Sequence, residues 1–112
     1  MIHKPFDIVI VPFPFADEMK RYKYRPALVV SSKEYNQKTH CLTLAMITSA
    51  KKSDFWGDCT ITDYKSTDLQ NGCIVRMKFF TIDAILIKAK IGSLGKRDVG
   101  KIRKNLKLVL NS

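Results

Sequence analysis

A chain of 112 residues is long enough for one hydrophobic core and too short for two, so residues 1–112 read as a single domain. Twenty Lys and Arg against ten Asp and Glu give a formal charge of +10, a positive field suited to polyanionic partners. Cys41, Cys59 and Cys73, odd in number and far apart, exclude a paired-cysteine zinc site or disulfide framework, and no uncharged run approaches the roughly 20 residues of a membrane-spanning helix. The amino terminus has no apolar run of signal-peptide form, because Asp7 and three prolines interrupt it; a soluble, cytoplasmic protein without membrane attachment is expected.

In chain order, "FDIVIVPFPF" (6–15) is β-branched and aromatic and predicts a strand, "ADEMKRYKY" (16–24) a charged loop, and "PALVVSS" (26–32) a second strand with Arg25 at its mouth. "KEYNQKTH" (33–40) reads as a polar connection and "CLTLAMITS" (41–49) as a third strand. "AKKSDFWGD" (50–58) is a loop with the only tryptophan, and "CTITDY" (59–64) a short alternating strand. After the turn-rich "KSTDLQNG" come two strands in "CIVRMKFFTIDAILIKAKIG", meeting near Thr81 to Asp83. In the second of these, Ile85, Ile87, Ala89 and Ile91 alternate with Leu86, Lys88 and Lys90. Only the tail has helical period. Val99, Ile102, Leu106 and Val109 share one face, six cations cover the rest, and Asp98 lies in the first turn, where the helix dipole favours an acid. Short strands closed by one helix predict a mainly β fold, a strongly bent antiparallel sheet or half-open barrel.

The chemistry is narrowed by what is missing. There is no phosphate-binding glycine loop and no G-x-S-x-G elbow. A two-histidine nuclease would need His3, in a frayed terminus, and His40, at a loop edge. Asp54, Asp58 and Asp63 offer only a weak metal signal and read as neutralising surface charges, so no metal and no other cofactor is expected. Arginine, lysine and hydroxyl side chains remain, and these suit phosphoryl chemistry driven by alignment and charge neutralisation. In "YRPALVV", Pro26 fixes the backbone after Arg25, whose planar fork can pair with phosphate oxygens; the plainer reading has Arg25 cap the strand and pair with Asp17 or Glu18.

The succession "FDIVIVPFPF", "YRPALVVSS", "LAMITS", "CIVRMKFFTID" and "IGSL" before a helix, spread over nearly the whole chain, resembles the MazF/PemK family of toxin endoribonucleases. The resemblance implies an SH3-like barrel, a homodimer, metal-free cleavage of single-stranded RNA at short motifs, and neutralisation by a cognate, acidic and partly disordered antitoxin. It assigns the family's catalytic arginine to Arg25 and the hydroxyl closing the "ITS" strand to Thr48, with Ser49 beside it. Where some members have V-R-x-D, this chain has "VRMK": Arg76 is kept, as a second phosphate clamp or an ion-pair partner, and Lys78 stands in the place of the acid. Phe6 replaces a family glycine, so a differently shaped first turn is expected, with Asp7 structural. Two loops supply candidate RNA contacts that mix cations with rings able to stack on bases: Lys20, Arg21, Tyr22 and Lys23 in one, Lys51, Lys52, Phe55 and Trp56 in the other. For the last two a hydrophobic lid or a dimer contact is the competing reading. Rivals for the whole chain are a barrel that binds nucleic acid without cutting it, and a toxin of the same fold that poisons a protein such as DNA gyrase.

Overall fold

The computed structural model describes residues 2–14, 22–49 and 54–111, with backbone alone at Pro14 and Tyr22. Six strands, β1 (Asp7–Pro14), β2 (Tyr22–Val29), β3 (Cys41–Thr48), β4 (Cys59–Thr60), β5 (Ile74–Asp83) and β6 (Ala89–Ser93), form one antiparallel sheet in the order β4-β5-β3-β2-β1-β6. A short helix α1 (Lys33–Thr39) links β2 to β3, a 3₁₀ turn (Ala84–Leu86) links β5 to β6, and α2 (Lys96–Leu110) ends the fold.

Alternation along the strands sends apolar side chains to both faces, and each face builds a core. Ile8, Leu28, Ala45, Ile47, Val75 and Met77 point to one face, where Ile102, Val99, Leu106 and Val109 of α2 cover them. Val9, Val11, Ala27, Val29, Leu42 and Leu44 point to the other. There the sheet curls on itself, so that Phe80 and Ile82 of β5 and Ala84 and Ile87 of the β5–β6 connection close over them. The result is a six-stranded, curled half-barrel with a C-terminal helix.

The curl demands irregularities. β3 and β5 shift register between Ala45 and Met46, leaving Met77 and Lys78 in a bulge, and β1 and β6 shift between Ile8 and Val9. Helix α2 is tied down by its buried Asp98, whose carboxylate accepts hydrogen bonds from the Thr62 and Asp63 amides (2.9–3.2 Å) and from the Thr62 hydroxyl (2.8 Å).

Several sequence expectations are corrected. The polar "KEYNQKTH" segment is helical: Ser32 caps it by accepting from the Tyr35 amide (3.1 Å), and His40 ends it at φ +58°. Strand β2 begins at Tyr22, so Arg25 stands inside it rather than at its mouth. Strand β4 is only Cys59–Thr60: after Ile61, whose amide donates to the Cys73 carbonyl, the Thr62 and Asp63 amides turn aside to Asp98. Strand β5 runs through Thr81 to Asp83 without a break, and the alternation read from Ile85 fails. Asp83 caps the 3₁₀ turn that follows, leaving Ile85 85% exposed. His3 is not frayed: its carbonyl accepts from Asn36 Nδ2 (2.9 Å) and its ring is partly buried beside Asp7, with desolvation lowering its pKa. Phe6 replaces the family glycine yet keeps a glycine-like backbone, at φ +72°.

Candidate active site

Arg25 pairs in register with Val11 of β1, on the face of the sheet that carries the second core. The β2–β3 ladder stops at Ala27–Met46; two residues beyond that pair, at the same end of the sheet, lie Arg25 and Thr48. Alternation gives both the same face, and Ser49 follows Thr48 just past the strand end, exposed. Arg76 is opposite Met46 on β5, which puts it on that face as well. The strands carrying the two arginines flank β3, so they run about 10 Å apart. Thus three residues far apart in sequence, Arg25, Thr48 and Arg76, share one end and one face of the sheet.

Beside Arg25 is a shallow recess lined by Val11, Phe13, Pro26, Met46, Ile47 and Phe80, with Phe13 and Phe80 in tilted ring contact at 5.2 Å. Lys23 is exposed two residues before Arg25 and therefore on its face. The recess offers apolar and aromatic surface, with cations on its rim.

Arg76 is held differently. Its Nε and one terminal nitrogen bond both oxygens of Asp58 at 3.1 and 2.9 Å, and the same terminal nitrogen reaches Asp54 at 3.0 Å. The Asp58 carboxylate is 1% exposed and that of Asp54 78% exposed. The hydrogen bonds that Arg76 donates to Asp58, with the charges of Asp58 and Asp54, outweigh desolvation and push the Arg76 pKa above its ordinary value. The second terminal nitrogen of Arg76 has no partner among the described residues. Gly57, at φ +95°, makes the tight turn between the two acids, and its carbonyl accepts from Asn105 of α2 at 2.8 Å. Phe55 lies under both cations of the bulge region, its ring centre 5.9 Å from Arg76 and 5.0 Å from Lys78 Nζ.

The structure therefore gathers Arg25, Thr48, Ser49, Arg76, Lys23, Lys78 and Phe55 toward one region. Trp56 is 72% exposed, which excludes a lid over the barrel of its own chain. Lys20, Arg21, Lys51 and Lys52 lie outside the described residues, as do the Tyr22 side chain and the acids Asp17 and Glu18. Asp54 and Asp58 are partners of Arg76, while Asp63 lies against Gly95 at the start of α2; among the described residues no group of three His, Cys, Asp or Glu could hold a metal ion. His3 and His40 line one recess with Asn36 and Gln37, on the side of α1. Sequence reasoning missed Asp58 as the partner of Arg76 and Phe13 and Phe80 as walls of the recess. The signal for the first was in "DFWGD", two acids closing a glycine turn.

Comparison with protein-family profiles matches residues 4–110 to the PemK-like, MazF-like toxins of type II toxin-antitoxin systems. A comparison with curated proteins finds no match. Among solved structures, MazF of Deinococcus radiodurans superposes with a TM-score of 0.76 at 17% identity, covering 100% of this chain and 99% of the other. MazF in a MazE–MazF crystal from the same organism gives 0.77 at 17%, with 99% and 97% covered. An endoribonuclease in complex with its cognate antitoxin, from a mycobacterial species, gives 0.77 at 13%, with 97% and 95% covered. At such identities the superpositions establish the fold, and the family rests on the profile match along 4–110: this chain belongs to the PemK-like, MazF-like toxins of type II toxin-antitoxin systems.

Proposed function

We propose that the protein is an endoribonuclease toxin that cleaves single-stranded RNA at short sequence motifs, without a metal ion, as a homodimer held in check by an acidic, partly disordered antitoxin. The observation that carries this reading is that Arg25 and Thr48 share one end and one face of the sheet, beside a shallow apolar surface walled by Phe13 and Phe80 on which an unstacked base could lie.

In this chemistry the substrate's 2′-oxygen attacks the adjacent phosphorus, the bond to the 5′-oxygen breaks, and the products are a cyclic phosphate and a 5′-hydroxyl. The proton lost by the 2′-hydroxyl is balanced by the one the leaving oxygen gains. The fork of Arg25 neutralises charge gathering on the phosphorane oxygens, and Thr48 donates to the same group or orients the nucleophile. Ser49 stands beside it as a second hydroxyl. Arg25 is an electrostatic group here, because a guanidinium stays protonated at ordinary pH. Arg76, carrying Asp58, presents its remaining terminal nitrogen to a neighbouring phosphate. Lys23, Lys78, Phe55 and Trp56 bind flanking nucleotides, together with Lys20, Arg21, Tyr22, Lys51 and Lys52. The antitoxin reading is supported by the MazE–MazF and mycobacterial complexes among the structural relatives and by the +10 charge, which an acidic segment would complement.

A long RNA with mapped 5′ ends identifies the cut site, and an oligonucleotide with a single 2′-deoxy substitution at the scissile nucleotide then tests the mechanism. Cutting is expected to persist in excess EDTA and to stop at the deoxy position. Cutting that survives the substitution, or that needs magnesium, overturns 2′-hydroxyl attack; binding without any cutting favours the non-cleaving barrel.

A further inference from the structure

Helix α2 carries Lys96, Arg97, Lys101, Arg103, Lys104 and Lys107 against one acid, Asp98, so 15 residues hold a net +5, half the excess of the chain. Asp98 is buried and turned inward, leaving no acid of the helix on its solvent side. Lys101 bonds Asp98 and the Thr60 carbonyl, and Arg103 lies over the Phe6 ring. Lys96, Arg97, Lys104 and Lys107 have no ion pair among the described residues, and Lys65 joins Lys96 and Arg97 along one open groove, which Asp63 also lines.

A helix selected for stability alone would not look like this. Cations in the first turn oppose the helix dipole, and like charges three, four or seven residues apart repel. Lys96 and Arg97 occupy the first turn, and Arg103 and Lys107, Arg97 and Lys104 stand at such spacings. An external polyanion removes both penalties. The exposed large apolar side chains of α2 are Leu108 and Leu110, both in its last turn, so along Lys96 to Lys107 a peptide finds few hydrophobic holds, whereas a phosphate backbone is bound by charge alone. From Lys96 to Lys107 the helix rises about 16 Å, the reach of two to three phosphates of a single strand.

Helix α2 covers the sheet face opposite the candidate site, and the turn before the edge strand β4 links the two. Asn105 bonds Gly57 and Lys101 bonds Thr60, so α2 abuts the turn that presents Asp58 to Arg76, and that turn carries the exposed Trp56. We propose that the cationic face of α2 is a second RNA-backbone site, which holds the substrate strand where it leaves the cleavage site past Trp56. The inference rests on the RNA reading above.

The test compares the parent protein with an Arg97→Gln, Lys104→Gln, Lys107→Gln triple variant on two RNAs blocked by a 2′-deoxy scissile nucleotide, one of about 8 nucleotides and one of about 40. The variant should unfold no more easily than the parent, and should bind the short RNA equally well. On the long RNA it should lose roughly tenfold in affinity, with a log–log salt slope shallower by about 0.7 for each cation removed. Equal binding of the long RNA by both proteins overturns the proposal, as does an equal loss on both RNAs. A parent that binds neither RNA overturns the RNA reading and this inference with it. A parent that binds both RNAs, with a variant unchanged on the long one, overturns this inference alone.

Discussion

At position 25 the difference between arginine and lysine is one of shape. A guanidinium presents paired donors in a fixed plane, while an ammonium is a mobile point charge. If Arg25 braces a phosphorane, Arg25→Lys should lose nearly as much rate as Arg25→Ala, each about 10²- to 10³-fold in kcat, with thermal stability close to the parent because the side chain is exposed. Single-turnover cleavage and a thermal melt check both halves, and a lysine variant of parental rate would show that charge alone suffices. Asp98 is the opposite kind of residue, buried and structural. Desolvation works against its ionised form, but the Asp63 and Thr62 donors and Lys101 outweigh it and hold its pKa below 3.8. A folded pKa below the unfolded one means that the stabilisation is complete above about pH 4 and is lost as the pH falls through the folded value. Asp98→Asn should therefore cost about 2 kcal/mol at neutral pH, and the gap should close in acid, as urea titrations at several pH values would record.

The turn at 54–58 shows how one element fixes a side chain of another. Asp58 brings a carboxylate from the turn to Arg76 of β5, two residues before Lys78 of the bulge. Burial separates the two acids of that turn. Asp58→Ala should lower the melting temperature by on the order of 10 °C, because it strips a half-enclosed arginine of a paired partner, while Asp54→Ala should shift it by no more than about 2 °C. Equal effects in a differential scanning experiment would count against Asp58 as the fixed partner. The sequence shows little of this. Long strands and α2 were legible because their apolar residues repeat at the right period, and the strings holding Arg25 and Thr48 were read as strands for the same reason. Helix α1 was not, since its signals are a capping Ser32, Glu34 in the first turn and one buried Asn36 rather than an apolar stripe. The break at Ala84–Leu86 was hidden by residues that alternate like a strand but are turned out by the Asp83 cap. The pairing of Arg76 with Asp58 spans 18 residues and depends on a turn and a bulge, which no local pattern encodes.

Across the whole molecule, +10 is confined to a body with principal extents of 32 × 32 × 30 Å. At 10 mM salt the screening length is about 30 Å, so each cation feels nearly every other; at 150 mM it is about 8 Å, and only neighbours interact. Salt also weakens attraction, but exposed pairs such as Lys38–Glu34 contribute little, and those with a buried acid, Arg76–Asp58 and Lys101–Asp98, are screened least. Relief of repulsion should therefore win, and the melting temperature should rise by several degrees between 10 and 300 mM sodium chloride, by about 4–8 °C for each kcal/mol recovered. At 10 mM salt a short polyanion such as inorganic polyphosphate should raise it too, and less so in the α2 triple glutamine variant, where part of the repulsion is already gone. A melting temperature that is flat or falls with salt would show that the positive excess carries no stability penalty, and would remove the argument that the α2 cations are placed for an external anion.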